Sequence, residues 1–181
     1  MNVKVLGAAS EVGRSGFLVR CDRTNILLDY GVKFAKRRDD PPIYPLHLKP
    51  KDVDAVVVTH AHLDHSGCVP SLFMGGNTHV YATPPTHDLS ILLIEDMLKI
   101  EKNKHSFDYR HVNSMIKNSK EIGFRESVKT GNATFELRSS GHVIGGSTVL
   151  VESEGKRLFY TGDINLRGSR MLPEADLDMG D

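Results

Sequence analysis

One six-residue stretch carries an unusual density of metal-binding chemistry. His60-Ala61-His62-Leu63-Asp64-His65 places three imidazoles and a carboxylate in a single turn. In a tight turn His60 and His62 project to one side, and Asp64 and His65 to a neighbouring position. Imidazole nitrogens and carboxylate oxygens are good zinc ligands, and four of them so close together suffice to begin two adjacent sites. Two later residues extend the set. His142 lies in the Gly-bounded turn Ser140-Gly141-His142-Val143-Ile144-Gly145-Gly146, and Asp163 lies in Tyr160-Thr161-Gly162-Asp163 at the end of an apolar run. A third imidazole on the first ion suits His142. A carboxylate with two oxygens can bridge two ions, which suits Asp163. Asp29, ending an apolar run before Gly31, is read either as a turn former or as an outer carboxylate that orients the ligand turn, with Thr59 at its base.

These residues need elements to hold them. Gly16–Cys21 and Asn25–Asp29 read as a hairpin around Asp22-Arg23-Thr24. Asp54–Thr59 reads as a strand buried on both faces, which puts the histidine turn at the C-terminal end of that strand, where α/β sheets place their sites. A short helix is expected within 65–76 and a strand over 79–83. Thr83 caps a helix with Pro84 at its first position, running to about Lys102 with Leu89, Leu92, Leu93, Met97 and Ile100 as its core stripe. Asp108 caps a further helix. Strands return at 133–138, 147–152 and 157–161, the last two joined through Ser153-Glu154-Gly155. The expected class is α/β (α+β), with a sheet layer covered by helices.

Composition sets limits. The chain has 181 residues, a size suited to one domain, with 23 basic and 23 acidic side chains and nine histidines. Zero net charge excludes a globally basic nucleic-acid binder but not a local basic cleft. The Lys33, Lys36, Arg37 and Arg38 cluster is either a solvated loop balanced by Asp39 and Asp40 or a phosphate contact. No apolar run is long enough to span a bilayer, and two cysteines make no disulfide framework, so a reducing, cytoplasmic setting is expected. Cys21 is expected to be buried, and Cys68 to lie apart from metal. His79, His87, His105 and His111 are read as structural or surface residues, and His47 is undecided.

The order Asp29, Thr59-His60-Ala61-His62-Leu63-Asp64-His65, His142, Asp163 resembles the metallo-β-lactamase superfamily. Glu11-Val12-Gly13-Arg14, Ala82-Thr83-Pro84-Pro85-Thr86, Gly141-His142-Val143-Ile144-Gly145 and Thr161-Gly162-Asp163-Ile164-Asn165 resemble its β-CASP branch of RNA-processing nucleases, above all the archaeal relatives of the cleavage and polyadenylation specificity factor nuclease. The resemblance implies an αββα sandwich, incomplete at its C-terminus, with residues 1–181 as the N-terminal portion of the domain. It implies one zinc held by His60, His62 and His142, a second by Asp64 and His65, and Asp163 between them. It also makes Asp64 and Asp163 the catalytic carboxylates, Asp29 and Thr59 outer residues that orient the ligand turn, and RNA the substrate, with 5′-phosphate and 3′-hydroxyl ends as products.

Members of the branch continue beyond the equivalent of residue 181 with a further histidine ligand and the group that protonates the leaving oxygen. The second ion is therefore expected to be under-coordinated in this chain, an exposed apolar sheet edge is expected, and a homo-oligomer or a complementary C-terminal chain is the expected partner. Two rivals stand beside the nuclease: a small-molecule hydrolase of glyoxalase II type, and a non-catalytic fragment that binds RNA or a partner.

Overall fold

The computed structural model describes residues 1–37, 40–76 and 78–178. Arg38 and Asp39 of the basic loop lie outside the described residues.

The chain opens as an antiparallel meander of β1 (Asn2–Gly7), β2 (Gly16–Cys21) and β3 (Thr24–Tyr30). Asp22 carries a φ of 52° in the two-residue turn between β2 and β3, where a short polar side chain tolerates the left-handed region. Three strands then add in parallel: β4 (Ala55–Val57), β5 (His79–Ala82) and β6 (Ser119–Glu121), giving a six-stranded sheet in sequence order. Its crossovers carry α1 (Leu63–Ser66), a 3-10 stretch at Val69–Met74, α2 (Pro84–Ile100) and α3 (Tyr109–Lys117). A second, antiparallel sheet has the order β10-β9-β8-β7, with β7 at Ser127–Thr130, β8 at Ala133–Ser139, β9 at Ser147–Ser153 and β10 at Lys156–Tyr160.

Two cores explain the layering. On one face of the first sheet, Leu18, Leu27, Val56 and Val80 pack against Ile94 and Met97 of α2 and Val112 and Met115 of α3. On the other face, Val19, Ile26, Leu28, Val57 and Tyr81 pack against Phe135, Leu137, Val149 and Val151 of the second sheet. Both faces of β3 and β4 are thus buried, which is why their sequences read as continuous apolar runs. Among the described residues the result is three layers of the expected four: helices, sheet and sheet. The outer face of the second sheet has no helix of its own among them. β10 is an edge strand whose last three residues are half-buried.

Several boundaries differ from the sequence reading. β4 stops at Val57, because Val58 to His62 form the site loop. The helix expected within 65–76 is two pieces, α1 beginning at Leu63 and a separate 3-10 stretch. β6 and β7 were not expected; both are short and polar, and tertiary pairing alone makes them strands. The core stripe of α2 also requires correction. Leu89, Leu92 and Ile100 are exposed, and the buried face is Thr86, Ser90, Ile94 and Met97. The reason lies in the first turn, where the Thr83 and Thr86 hydroxyls both donate to the Gly145 carbonyl, at 2.7 and 2.9 Å. That pair fixes the rotation of α2 and docks it on the turn that carries His142. Gly145 itself sits at φ 76°, and a Cβ there would meet Thr83 Oγ1 at 2.8 Å.

Candidate metal centre

The candidate ligands leave strand ends, the turns beside them and the short helix α1. The His60–His62 turn follows β4, Asp64 and His65 sit on α1, His142 lies between β8 and β9, and Asp163 follows β10. The fold brings four of the donors together. His60 Nε2 lies 3.0 Å from His62 Nδ1, and His142 Nε2 lies 3.5 Å from the same atom. Asp163 Oδ2 is 3.9 Å from His60 Nε2 and 3.7 Å from His142 Nε2. Four ligands at tetrahedral bond lengths of about 2.0–2.1 Å are separated from one another by about 3.4 Å. The measured separations scatter around that edge, so the donor set fits a single divalent cation.

The other two candidates adjoin it. His65 Nε2 lies 3.5 Å from Asp163 Oδ1 and 3.8 Å from Asp64 Oδ2. Asp163 therefore directs one oxygen to the His60 group and the other to His65. His60 and His65 form the buried floor; His62 and Asp163 are exposed at the mouth.

Asp29 organises this floor, and a backbone irregularity aims it. Between β2 and β3 the register runs Gly16↔Tyr30 and then Phe17↔Leu28, so Asp29 is the extra residue of a bulge. Its φ is 57°, in the left-handed region that a short polar side chain tolerates, held here at a fully buried position. The carboxylate accepts from Thr59 N at 2.8 Å, Thr59 Oγ1 at 2.8 Å, His65 Nδ1 at 2.7 Å and Tyr160 Oη at 2.9 Å. These partners assign the protons. His65 gives its Nδ1 proton to Asp29 and turns Nε2 toward Asp64 and Asp163. Thr59 gives its hydroxyl proton to Asp29, so it accepts from His60 Nδ1 at 3.1 Å, and His60 Nε2 is left as a free lone pair.

Gly31 permits the close approach that this needs. A Cβ there would overlap the carbonyl oxygen of Asp64, while Ser15 N donates to that same oxygen at 2.8 Å.

Tyr160 is the functional residue that sequence reasoning missed. Its position at the end of an apolar strand looks like core, and only the meeting of the two sheets carries its hydroxyl to Asp29. Burial and the Asp29 charge push its pKa well up, so it remains a neutral donor. Replacing Tyr160 by phenylalanine deletes one hydrogen bond to a buried charge, and denaturant unfolding of the metal-free chain should show a loss of roughly 1.5–3 kcal/mol.

Charge in the floor is polarised. Burial alone would neutralise Asp29, but the charge and hydrogen bond of His65, with the Thr59 amide, hold its carboxyl below the ordinary range. For His65, burial disfavours the cation, yet Asp29, Asp64 and Asp163 raise its pKa to about 9. Burial and the neighbouring His65 cation lower His60 to about 3. The signs give a testable profile for the metal-free chain. Between pH 3 and 6.5 the unfolded chain binds more protons at His60, so stability rises with pH. Between 6.5 and 9 the folded chain holds the His65 proton more tightly, so stability falls as pH rises. Thermal midpoints recorded across that range should peak near pH 6.5. A divalent cation bound at His65 Nε2 would compete with its proton, so the apparent affinity of such an ion, read by chelator competition, should increase from pH 6 to 9.

Other candidates stand apart from the centre. Cys21 is buried, as expected. Cys68 is buried beside Ser71, and burial pushes its thiol up to about 12. Lys33 Nζ pairs with Glu11 at 2.6 Å, and Lys36 and Arg37 are exposed. His105 is held between Tyr44 Oη and Glu101, and His111 closes the capping box of α3. His79 is exposed at the start of β5, and His47 lines a groove with Tyr30 and Tyr44.

A family model described as a metallo-beta-lactamase superfamily domain matches residues 18–180. The chain belongs to that superfamily. Among its relatives are "RNase aCSPSF2" of Saccharolobus solfataricus, 36% identical over 97% of this chain and 36% of the relative, and "Probable RNase MJ4" of Methanocaldococcus jannaschii, 36% identical over 98% and 42%. "Transcription termination factor FttA" of the latter organism is also 36% identical, over 97% of this chain and 29% of its own. The chain thus spans about a third of the length of these curated relatives. Among solved structures, a protein of unknown function from Enterococcus faecalis V583 aligns with a TM-score of 0.66 at 19% identity, covering 91% of this chain and 43% of the other. A Cronobacter sakazakii metallo-beta-lactamase with a HARLDQ motif aligns at 0.57 and 17%, covering 91% and 62%. At these identities the structures speak to fold alone. Superfamily membership implies divalent-metal binding, in keeping with the His60, His62, His142 and Asp163 cluster. Among the described residues no helix is long and apolar enough to cross a membrane.

Proposed function

We propose that this chain holds the metal centre of a zinc-dependent ribonuclease that hydrolyses RNA phosphodiester bonds. The observation that carries the proposal is the convergence of His60, His62, His142 and Asp163 from three separate regions of the chain. In this reading His60, His62 and His142 would hold one zinc and Asp64 and His65 the second, with the Asp163 carboxylate between the two groups.

Two divalent cations so placed supply Lewis acidity at a phosphoryl oxygen and a water activated at neutral pH. The chain's own residues do the rest. Thr59 and Asp29 hold His60 and His65 with their Nε2 lone pairs forward. Asp64 and Asp163 act as the catalytic carboxylates at the mouth. A groove lined by Val12, Phe34, Leu63 and Leu93 runs past His62 and Asp64 and offers an apolar bed for bases beside the phosphate.

The names of the relatives favour RNA over a thioester substrate, which sets the glyoxalase-type rival aside. RNA is the proposed partner, a further donor from another segment or chain the proposed completion of the second ion's shell, and the cytoplasm the proposed compartment. The test incubates the zinc-loaded chain with end-labelled single-stranded RNA and, in parallel, with a thioester. RNA cleavage that chelation stops and His62→Ala abolishes is expected. Thioester hydrolysis without RNA cleavage, or a folded chain that takes up no zinc at the His60, His62 and His142 set, rejects the reading.

A further inference from the structure

We propose a second, separate divalent-cation site formed by His87, Asp88 and Glu121, where the first turn of α2 meets the end of β6. Its three donor atoms lie within 4.8 Å of one another. His87 Nδ1 is 3.4 Å from Asp88 Oδ1 and 3.4 Å from Glu121 Oε1. An N–H···O hydrogen bond settles near 2.9–3.0 Å, so these separations are long for direct bonds. They equal the edge of about 3.4 Å expected between ligands of one tetrahedral zinc. They also fall within the 3.0–3.9 Å range found among His60, His62, His142 and Asp163.

A second observation points the same way. Both ring nitrogens of His87 are buried and neither has a hydrogen-bond partner among the described residues, so the 16% exposure of the side chain lies on its carbons. A buried imidazole without a partner on either nitrogen is costly, and an ion bound at Nδ1 removes half of that deficit. Asp88 and Glu121 are 80% and 51% exposed, so the ion has a path from solvent and room for water as its remaining ligands. One nitrogen and two carboxylate oxygens suit zinc or a similar borderline cation.

The position gives the site a structural task. α2 begins at Pro84, and Thr83 and Thr86 in the same turn hold the Gly145 carbonyl beside His142. Among the described residues, β6 is a three-residue edge strand with only β5 beside it. An ion there ties the edge strand β6 to the helix turn that docks on the His142 loop. This site is independent of the ribonuclease reading, because none of its ligands belongs to the candidate catalytic centre.

The test equilibrates the full metal-free chain with zinc, removes the excess by dialysis, and measures bound zinc per chain. Glu121→Gln and His87→Gln should each lower the content by one ion relative to the starting protein. At a zinc concentration about a hundredfold above Kd, the ion should contribute a rise of roughly 5–10 °C in thermal midpoint that both variants lose. Glu121→Gln changes a half-exposed residue at a sheet edge, so its fold is expected to persist, and far-UV circular dichroism checks this. Unchanged zinc content in a folded Glu121→Gln variant overturns the proposal. A loss in His142→Ala but in neither of these variants overturns it as well, and leaves the catalytic centre standing.

Discussion

On the proposed function, RNA cleavage should fall by more than a hundredfold in His142→Ala, with one zinc lost per chain and little change in the fold. His142 is partly exposed in a turn, so its removal leaves no large cavity. Its Nε2, however, stands 3.5 Å from His62 Nδ1 and 3.7 Å from Asp163 Oδ2, inside the donor cluster. Losing a partner that merely orients a ligand typically costs ten- to a hundredfold in affinity or activity, and losing a ligand itself should exceed that. Metal analysis beside single-turnover cleavage of labelled RNA measures both quantities. Retained zinc with unaltered cleavage would remove His142 from the centre.

The second large effect is on stability. Asp29→Ala should destabilise the metal-free chain by about 3–5 kcal/mol, the range for removing one partner of a buried ion pair. The carboxylate is fully buried and is the shared acceptor for the Thr59 amide, the Thr59 hydroxyl, His65 Nδ1 and Tyr160 Oη. Alanine strands all four and leaves the His65 cation without its nearest counter-charge. Asp29→Asn separates the causes, since asparagine tolerates the φ of 57° and keeps most of the shape while losing the charge. Urea denaturation of both variants, with zinc affinity measured in parallel, should show a larger stability loss for alanine and weakened zinc binding in both. A loss below about 1 kcal/mol in Asp29→Ala would show that Asp29 does not organise the floor.

The two variants also show what could be read before the fold was known. The histidine turn was legible because four ligand-type residues in six positions have no ordinary structural reason to cluster. β2 and β3, the Thr83 cap of α2 and the Asp108 cap of α3 were legible because turn and cap chemistry is local. Asp29 was legible only as an alternative, since an aspartate before a glycine is an ordinary turn. Tyr160 was invisible as a site residue, because a tyrosine ending an apolar strand has no local feature that distinguishes it from core. The rotation of α2 was misread for a related reason. Leu89, Leu92 and Ile100 follow helical spacing, but the two threonine hydroxyls bound to Gly145, 59 and 62 residues away, decide which face turns inward.

The sequence by itself determined which atoms could bind a cation, that β4 is buried on both faces, and that a ligand turn leaves β4. Those are properties of residue type and short-range spacing. Only the tertiary structure decided that His142 and Asp163, about 80 and 100 residues beyond His62, stand within 4 Å of the His60–His62 turn or of one another. It alone decided that a bulge swings Asp29 beneath them, and that Tyr160 reaches Asp29 from the opposite sheet. The physical reason is that convergence of this kind comes from packing two sheets through one shared core, and no local preference of the chain encodes the distance between their ends.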